Sequence, residues 1–475
     1  MSIPPLLPVS SVGDVAAEAM SPDAIRTSTV ALSVLFTVYF FSSIDRSIFG
    51  ILAQPIKEEL LLADWQLGFL TGFAFSAVYL VFGFPMAKVA DKGNRVTILS
   101  VCMALWSIMT AVNGLASTFI QLTFARMGVG IGEAACLPAS HSLISDYFPP
   151  RKRTKALATF GLGYPIGALV GMMVGGFIAD NWGWRAAFFV VGIPGLLLAV
   201  FTWLIVREPP RGRYDAGAGT DPAFADPKSF AEVWRAMWQS RVLRQMLLGV
   251  TIMATLTSPI ATFISPYLAR KFPLTYTELG VIVAVTMMLG ASISTYGGGI
   301  IAQRLAQRDE KWLMWFPGIT LVVGMPFYMV SLSQENWIYL AIWLFFGAVI
   351  NATYLAPCYT VLYNRIAPGG RAKAAVIITV FIVLVGQSFG PLVAGLANDF
   401  VAAMLFADAA PQGFMAACPG GQAVQGAPAA LDAACRGAVV DATQLVLLVS
   451  MAMTVWPALH FFLAGRAMKN EMAAG

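Results

Sequence analysis

The sequence predicts an all-α polytopic membrane protein, with twelve transmembrane helices arranged as two pseudo-symmetric six-helix bundles. Three observations predict it. Of 475 residues, 58% are hydrophobic and only 12% charged, with a mean hydropathy of +0.73, where a soluble chain carries about 25% charged residues. Twelve apolar runs reach the length of about 20 residues that a crossing needs. The two sets of six also repeat each other in their glycines and prolines.

The runs fall at 29–54, 65–87, 96–116, 119–145, 156–179, 186–206, 244–268, 277–302, 312–332, 337–363, 374–398 and 439–465. They are continuous rather than alternating, which excludes a β-barrel. Residues 1–28 hold Asp14, Glu18, Asp23 and four prolines, with neither a basic start nor a defined apolar stretch. They read as a disordered cytoplasmic tail rather than a signal peptide. Six spans then form an N-terminal bundle, 29–206. A Pro/Gly/charge-rich linker, 207–240, follows, and a C-terminal bundle, 241–467, completes the chain. Within the linker Ser229 and Glu232 make a capping-box pattern. Phe230, Val233, Trp234, Met237 and Trp238 share one helical face after it, the signature of a short interfacial helix. A second long connection, 400–437, is Ala/Gly-rich.

Charge sets the orientation. Of the 30 Lys and Arg, Arg46 and Arg126 lie within spans, 23 fall on one side of the twelve-span alternation and five on the other. The positive-inside rule then predicts a multi-pass protein of the inner (plasma) membrane with both termini cytoplasmic and 400–437 periplasmic. The net charge of +5 therefore says nothing of nucleic acid.

A shift of 219 residues aligns Gly128 with Gly347, Pro138 with Pro357, Pro149 with Pro368, Gly167 with Gly386, Gly171 with Gly390, Gly176 with Gly395 and Asp180 with Asp399. Shared packing glycines alone do not explain the matching prolines, and parallel six-helix repeats are a transporter architecture. The same shift sets Arg126 on Phe345 and Glu133 on Ala352, so the ionisable chemistry is expected in the first half.

An ionisable residue at mid-membrane costs roughly 2.5–3.5 kcal/mol on insertion scales, and such residues are retained for function. The first span carries Asp45 and Arg46 in "SSIDRSIFG", and the fourth carries Arg126 and Glu133 in "ARMGVGIGEAACLPAS". The last two are seven residues apart, about 10.5 Å along one helical face. These four are the candidate proton-coupling and substrate-binding residues, with a structural buried ion pair as the bland alternative. Tyr79, Tyr164, Phe345 and Tyr354 are candidate cavity-lining residues. The loop "GFPMAKVADKGNR" offers Asp91, Lys92 and Arg95 as a gating cluster, echoed by Gln303 and Arg304 in "GGGIIAQRLAQR". Gly163, Gly167, Gly171 and Gly175 form a ladder for close helix packing. His141 and His460 lie near span ends, so a proton relay must use carboxylates. Five cysteines contain no CxxC and no metal-ligand spacing. Cys418 and Cys435 are either free thiols or, in an oxidising periplasm, the expected disulfide.

These motifs resemble the signatures of the major facilitator superfamily. Within it "IDRSIFGILAQPIKEEL", "GFAFSAVYLVFGFPMAKVADKGNR" and "ARMGVGIGEAACLPASHSLISDYFPPRKR" are similar to the Spinster family of lipid transporters. The resemblance implies a sphingolipid- or lysophospholipid-type substrate and proton linkage. It places Asp45–Arg46 on the family's Asp-Arg pair and Arg126 and Glu133 on its helix 4 pair. Asn94 stands where most of the superfamily has Gly, and Asn tolerates the left-handed conformation.

The expected function is thus secondary active transport of an amphiphile by alternating access. The expected driving force is the proton gradient, with no cofactor, and the expected state is a monomer among membrane lipids. The amphiphile follows from the repeat: with Phe345 and Ala352 facing Arg126 and Glu133, the second half should offer an apolar wall to the chain of a lipid whose head lies at Arg126. A drug or organic-ion carrier on the same fold is the alternative. An intramembrane enzyme lacks support because there is no HExxH, GxSxG or nucleotide loop. A channel lacks it because there is no charged ring or filter repeat.

Overall fold

A computed structural model describes residues 22–214, 229–366, 368–406, 413–424 and 426–473. Where every backbone amide must be satisfied within the bilayer, apolar runs become helices, and no strand occurs among the described residues. The first half comprises α1 (Pro22–Leu60), α2 (Asp64–Ala90), α3 (Arg95–Asn113) and α4. α4 is broken into Phe119–Glu133 and Cys136–Tyr147. The helical stretch Arg151–Ile205 then doubles back at Gly183, whose φ of 80° and ψ of 163° suit glycine alone, so α5 precedes that residue and α6 follows it. The second half comprises α7 (Arg241–Lys271), α8 (Tyr276–Ala306), α9 (Trp312–Leu332), α10 (Trp337–Arg365), α11 (Gly369–Leu405) and α12 (Ala429–Met468).

Several expected boundaries move. α1 begins at Pro22 rather than 29, with proline at a first-turn position, Asp23 favouring the helix dipole, and Ser28 Oγ donating to the Tyr147 carbonyl (3.0 Å). The rest of the expected disordered tail, 1–21, lies outside the described residues. α12 begins at Ala429 rather than 439, because 429–438 is rich in strong helix formers and carries an Asp432–Arg436 pair at 2.7 Å. The connection expected at 400–437 is therefore shorter, from Phe406 to Pro428. The linker helix spans Phe230–Gln239 with both capping-box hydrogen bonds present. Its Val233 and Met237 are buried against the second half, and Trp234 stacks on Phe381 of α11 at 5.7 Å.

The glycine ladder positions the charged span. A Cβ at Gly163 would stand 2.9 Å from the Phe36 carbonyl oxygen, one at Gly171 3.0 Å from Ile44 Cα, and one at Gly175 2.7 Å from Ile48 Cγ1. α5 thereby lies against the α1 backbone along 36–51 and fixes how Asp45 and Arg46 are turned.

The apolar cores show which end of the molecule is shut. At the end holding the 207–240 linker, each half has its own core, around Trp106 and Leu143 in one and Met246 and Leu362 in the other. At the opposite end, which holds the tight α1–α2 hairpin, one core joins both halves through Ile48, Phe49 and Ile56 with Ile260, Phe263 and Tyr267. Every hydrogen bond between halves found among the described residues is at this hairpin end.

Two of these contacts are related by the repeat. Asp399, at the end of α11, accepts from the Asp64 and Trp65 amides at the start of α2 (3.0 and 2.9 Å). Asp180, at the end of α5, accepts from the Tyr276 and Thr277 amides at the start of α8 (2.9 and 2.7 Å). Each half thus caps a helix of the other. Beside them Asp64 pairs with Lys57 of its own half and with Arg270 of the other (2.7 Å), and Arg270 also donates to Gln54 (2.8 Å). Cys418 and Cys435 form a disulfide. It holds a short segment whose Gly420 rests on Lys57 and Leu61 at the end of α1.

Candidate functional site

Between the halves lies a cavity of about 410 Å³, reached from the linker end and floored by the shared core. α1 and α4 supply its charges. Arg46 lines it, and its Nε donates to Glu133 Oε2 at 2.6 Å. The same oxygen accepts from Ser42 Oγ at 3.0 Å. The Arg46 guanidinium also lies over the rings of Tyr79 (4.6 Å) and Phe75 (5.0 Å).

Arg126 lines the same cavity, is 3% exposed, and has no ion-pair partner among the described residues; its Nε has no hydrogen-bond acceptor. Its guanidinium lies 4.5 Å from the Phe49 ring centre and 5.0 Å from that of Phe75. Phe75 therefore stands between the two guanidinium groups, offering a π-face to each. Asp45 is buried behind the wall rather than in it, and its Oδ1 lacks a partner.

The structure brings the four predicted residues together in a pairing that sequence did not supply. Adjacent residues on a helix point about 100° apart. The rotation set by the α5 ladder turns Arg46 to the cavity and to Glu133, leaving Asp45 behind. With both carboxylates ionised the four charges balance. A proton on either one leaves the cavity with a net positive charge beside Arg126.

Among the expected lining residues Tyr164 and Tyr354 do line the cavity. Tyr79 sits behind Arg46 and stacks on Phe75 at 5.9 Å. Phe345 is not a lining residue. It packs edge-on against Phe346 at 5.8 Å, because position 345 falls on the flank of α10 while Ala348 and Ala352 face inward. The second wall is mixed rather than the wholly apolar surface expected from Phe345 and Ala352. Tyr328, Asn351 and Gln387 reach it from three helices, with Thr257 and Ser258 from α7. These residues are single polar positions scattered over long oily spans, so no local pattern marks them.

The predicted gating residues all lie at the linker end. Arg95 is buried, donating from Nε to Glu208 (2.6 Å) and from Nη2 to the Pro209 carbonyl (3.0 Å), and it pairs with Asp146. It clamps the start of α3 to the ends of α4 and α6, all within one half. The amides at the start of α3 are met by Asn94 Oδ1 on Thr97 N (2.8 Å) and Glu208 Oε2 on Val96 N (3.1 Å). The Asp91 side chain itself lies outside the described residues. Lys92, Gln303 and Arg304 are exposed. Sequence reading missed Glu208, Asp146 and the hairpin-end cluster of Lys57, Asp64 and Arg270, in which Arg270 lies far from the other two in the chain.

The family model of the Major Facilitator Superfamily matches residues 35–391. An "MFS-type efflux pump" of Mycolicibacterium smegmatis is 30% identical, covering 79% of this chain and 85% of that protein. A "Probable L-galactonate transporter" of Escherichia coli is 28% identical over 56% of this chain and 60% of its own length. Among solved structures, a bacterial homologue of the human lysosomal transporter Spinster, in an inward-facing and unoccupied conformation, superposes with a TM-score of 0.85. That match is at 28% identity and covers 94% of this chain and 98% of the other. Two six-helix halves, a central charged cavity shut at one end and a family match across both halves make this chain a multi-pass transporter working by alternating access rather than an enzyme. It belongs to the Major Facilitator Superfamily.

Proposed function

We propose that the protein carries an anionic amphiphile, its acidic head bound at Arg126, in exchange or company with a proton held by Asp45 or Glu133. The observation that carries this reading is Arg126, a buried cation facing the cavity without a carboxylate partner. A charge in such a place is costly unless a partner arrives, and a phosphate or carboxylate supplies one. The apolar part of the lining, Met253, Met287 and Met451 among it, suits the start of a hydrocarbon chain. The resemblance of the sequence motifs to the Spinster family of lipid transporters agrees with a lipid-like cargo. If the linker end is cytoplasmic, as the charge distribution predicts, this is the inward-open state. Substrate and proton then bias the balance between this state and one in which the hairpin end opens.

A second reading, a hydrophilic organic acid, is favoured by Tyr328, Asn351 and Gln387 on the opposite wall. Binding to the purified protein of single-chain lipids with one phosphate head separates the two. The amphiphile reading expects affinity to rise with acyl length by up to about 0.8 kcal/mol per buried methylene until the pocket is filled. Affinity independent of chain length, together with strong binding of small sugar acids, overturns it in favour of the second reading. Saturable uptake into proteoliposomes tests carriage itself.

A further inference from the structure

We infer that Asn351 selects substrates bearing a hydroxyl close to their anionic group. This rests on the reading that an anion binds at Arg126. Asn351 is 4% exposed, lines the same cavity as Arg126, and its Oδ1 has no hydrogen-bond partner. It is the last helical residue before α10 breaks at Ala352 (φ −85°, ψ 26°). α10 resumes only at Leu355.

That break is the repeat counterpart of the one in α4, since residues 134 and 135 shifted by 219 fall on 353 and 354. Broken helices at the midplane are where carriers of this architecture bind cargo, because the interruption turns polar groups toward the cavity. In α4 the residue beside the break is Glu133, already occupied by Arg46 and Ser42. In α10 the residue beside the break is Asn351, and its acceptor is free. Of the nearby polar groups, Tyr328 shares a hydrogen bond with the Asn351 side chain that leaves Oδ1 unmet, Thr353 and Thr320 bond each other at 2.6 Å, and Ser258 donates to the Gly386 carbonyl at 3.0 Å. A hydroxyl of a substrate entering the cavity can supply the donor that Oδ1 lacks. A hydroxyl beside a phosphate or carboxylate has the right chemistry, whether it belongs to the glycerol of a single-chain phospholipid or to a sugar acid. A plain fatty acid lacks it.

The test measures binding to the full purified chain with two matched pairs. One is a lysophosphatidate against the analogue lacking its glycerol hydroxyl; the other is galactonate against hexanoate. The hydroxyl-bearing member of at least one pair should bind tenfold or more tighter, the scale expected when a buried acceptor goes unmet. Which pair shows it identifies the source of the hydroxyl. Asn351→Ala should erase that preference, and an unchanged thermal unfolding midpoint and gel-filtration profile certify its fold. Equal binding of both members by wild type, or a preference kept by Asn351→Ala, overturns the inference and leaves the anion site standing. If no member of either pair binds, the anion site itself is refuted and this inference falls with it.

Discussion

Removing both reciprocal caps, as Asp180→Ala with Asp399→Ala, should open the hairpin end. Each carboxylate accepts two backbone amides at the start of a helix in the other half, at 2.7–3.0 Å. Losing such a cap costs about 1–2 kcal/mol in the closed state. In the open state these amides face water and lose nothing comparable. The two sites lie on different helix pairs and share no residue, so their effects should add. The double variant is then worth about 2–4 kcal/mol, roughly a 30- to 700-fold shift toward the open hairpin end at 1.4 kcal/mol per tenfold. Spin labels at Ser117→Cys and Glu335→Cys, on hairpin-end loops of opposite halves, read the opening by double electron–electron resonance in a background lacking Cys102, Cys136 and Cys358. Each single variant should move the distance distribution part of the way. A double variant that keeps its thermal stability and the wild-type distribution refutes the reasoning, since the caps would then bear no part of the closure.

Three further outcomes are expected. Arg126→Gln should fold, because its guanidinium holds no ion pair, yet lose binding of the anionic substrate by tenfold or more in a titration; unchanged affinity would remove the anion site. Asp45→Asn and Glu133→Gln should keep exchange of substrate down its own gradient but lose its stimulation by a pH gradient in proteoliposomes. Full proton-driven uptake by both variants would make these carboxylates structural. Peptide mass analysis without reduction should recover residues flanking Cys418 and Cys435 as one crosslinked species, and two alkylatable thiols would contradict the bond.

What could be read in advance follows the range of each interaction. Apolar runs, the Pro/Gly-rich linker and the α5 ladder are local or periodic, and with the 219-residue repeat they point to the two-bundle fold. The 219-residue shift found Asp180 and Asp399 as a matched pair, but their role depends on the opposite half's helix starts, about a hundred or more residues distant in the chain. Asp45, Arg46, Arg126 and Glu133 were recognisable as a set because charge in an oily span is rare. Their pairing was not, because it depends on how α1 is rotated by a helix more than a hundred residues away. Tyr328, Asn351 and Gln387 escaped because uncharged polar residues are common in such spans, and only a shared cavity distinguishes them from packing positions.

The seam between the halves has a kinetic consequence. A Cβ on Gly176 would stand 2.7 Å from the Tyr276 carbonyl carbon, one on Gly280 3.0 Å from that of Met172, and one on Gly72 2.6 Å from the Ser388 carbonyl oxygen. α5 meets α8, and α2 meets α11, backbone on backbone. Interdigitated side chains must leave and re-enter their rotamer wells whenever two surfaces separate, and each ordered rotamer adds to the barrier. Glycine backbones have no rotamers to lose. The two halves can tilt along these tracks with few side chains to reorder there, so the barrier between states is set at the hairpin end, by the apolar core the halves share and by its ionic and capping contacts.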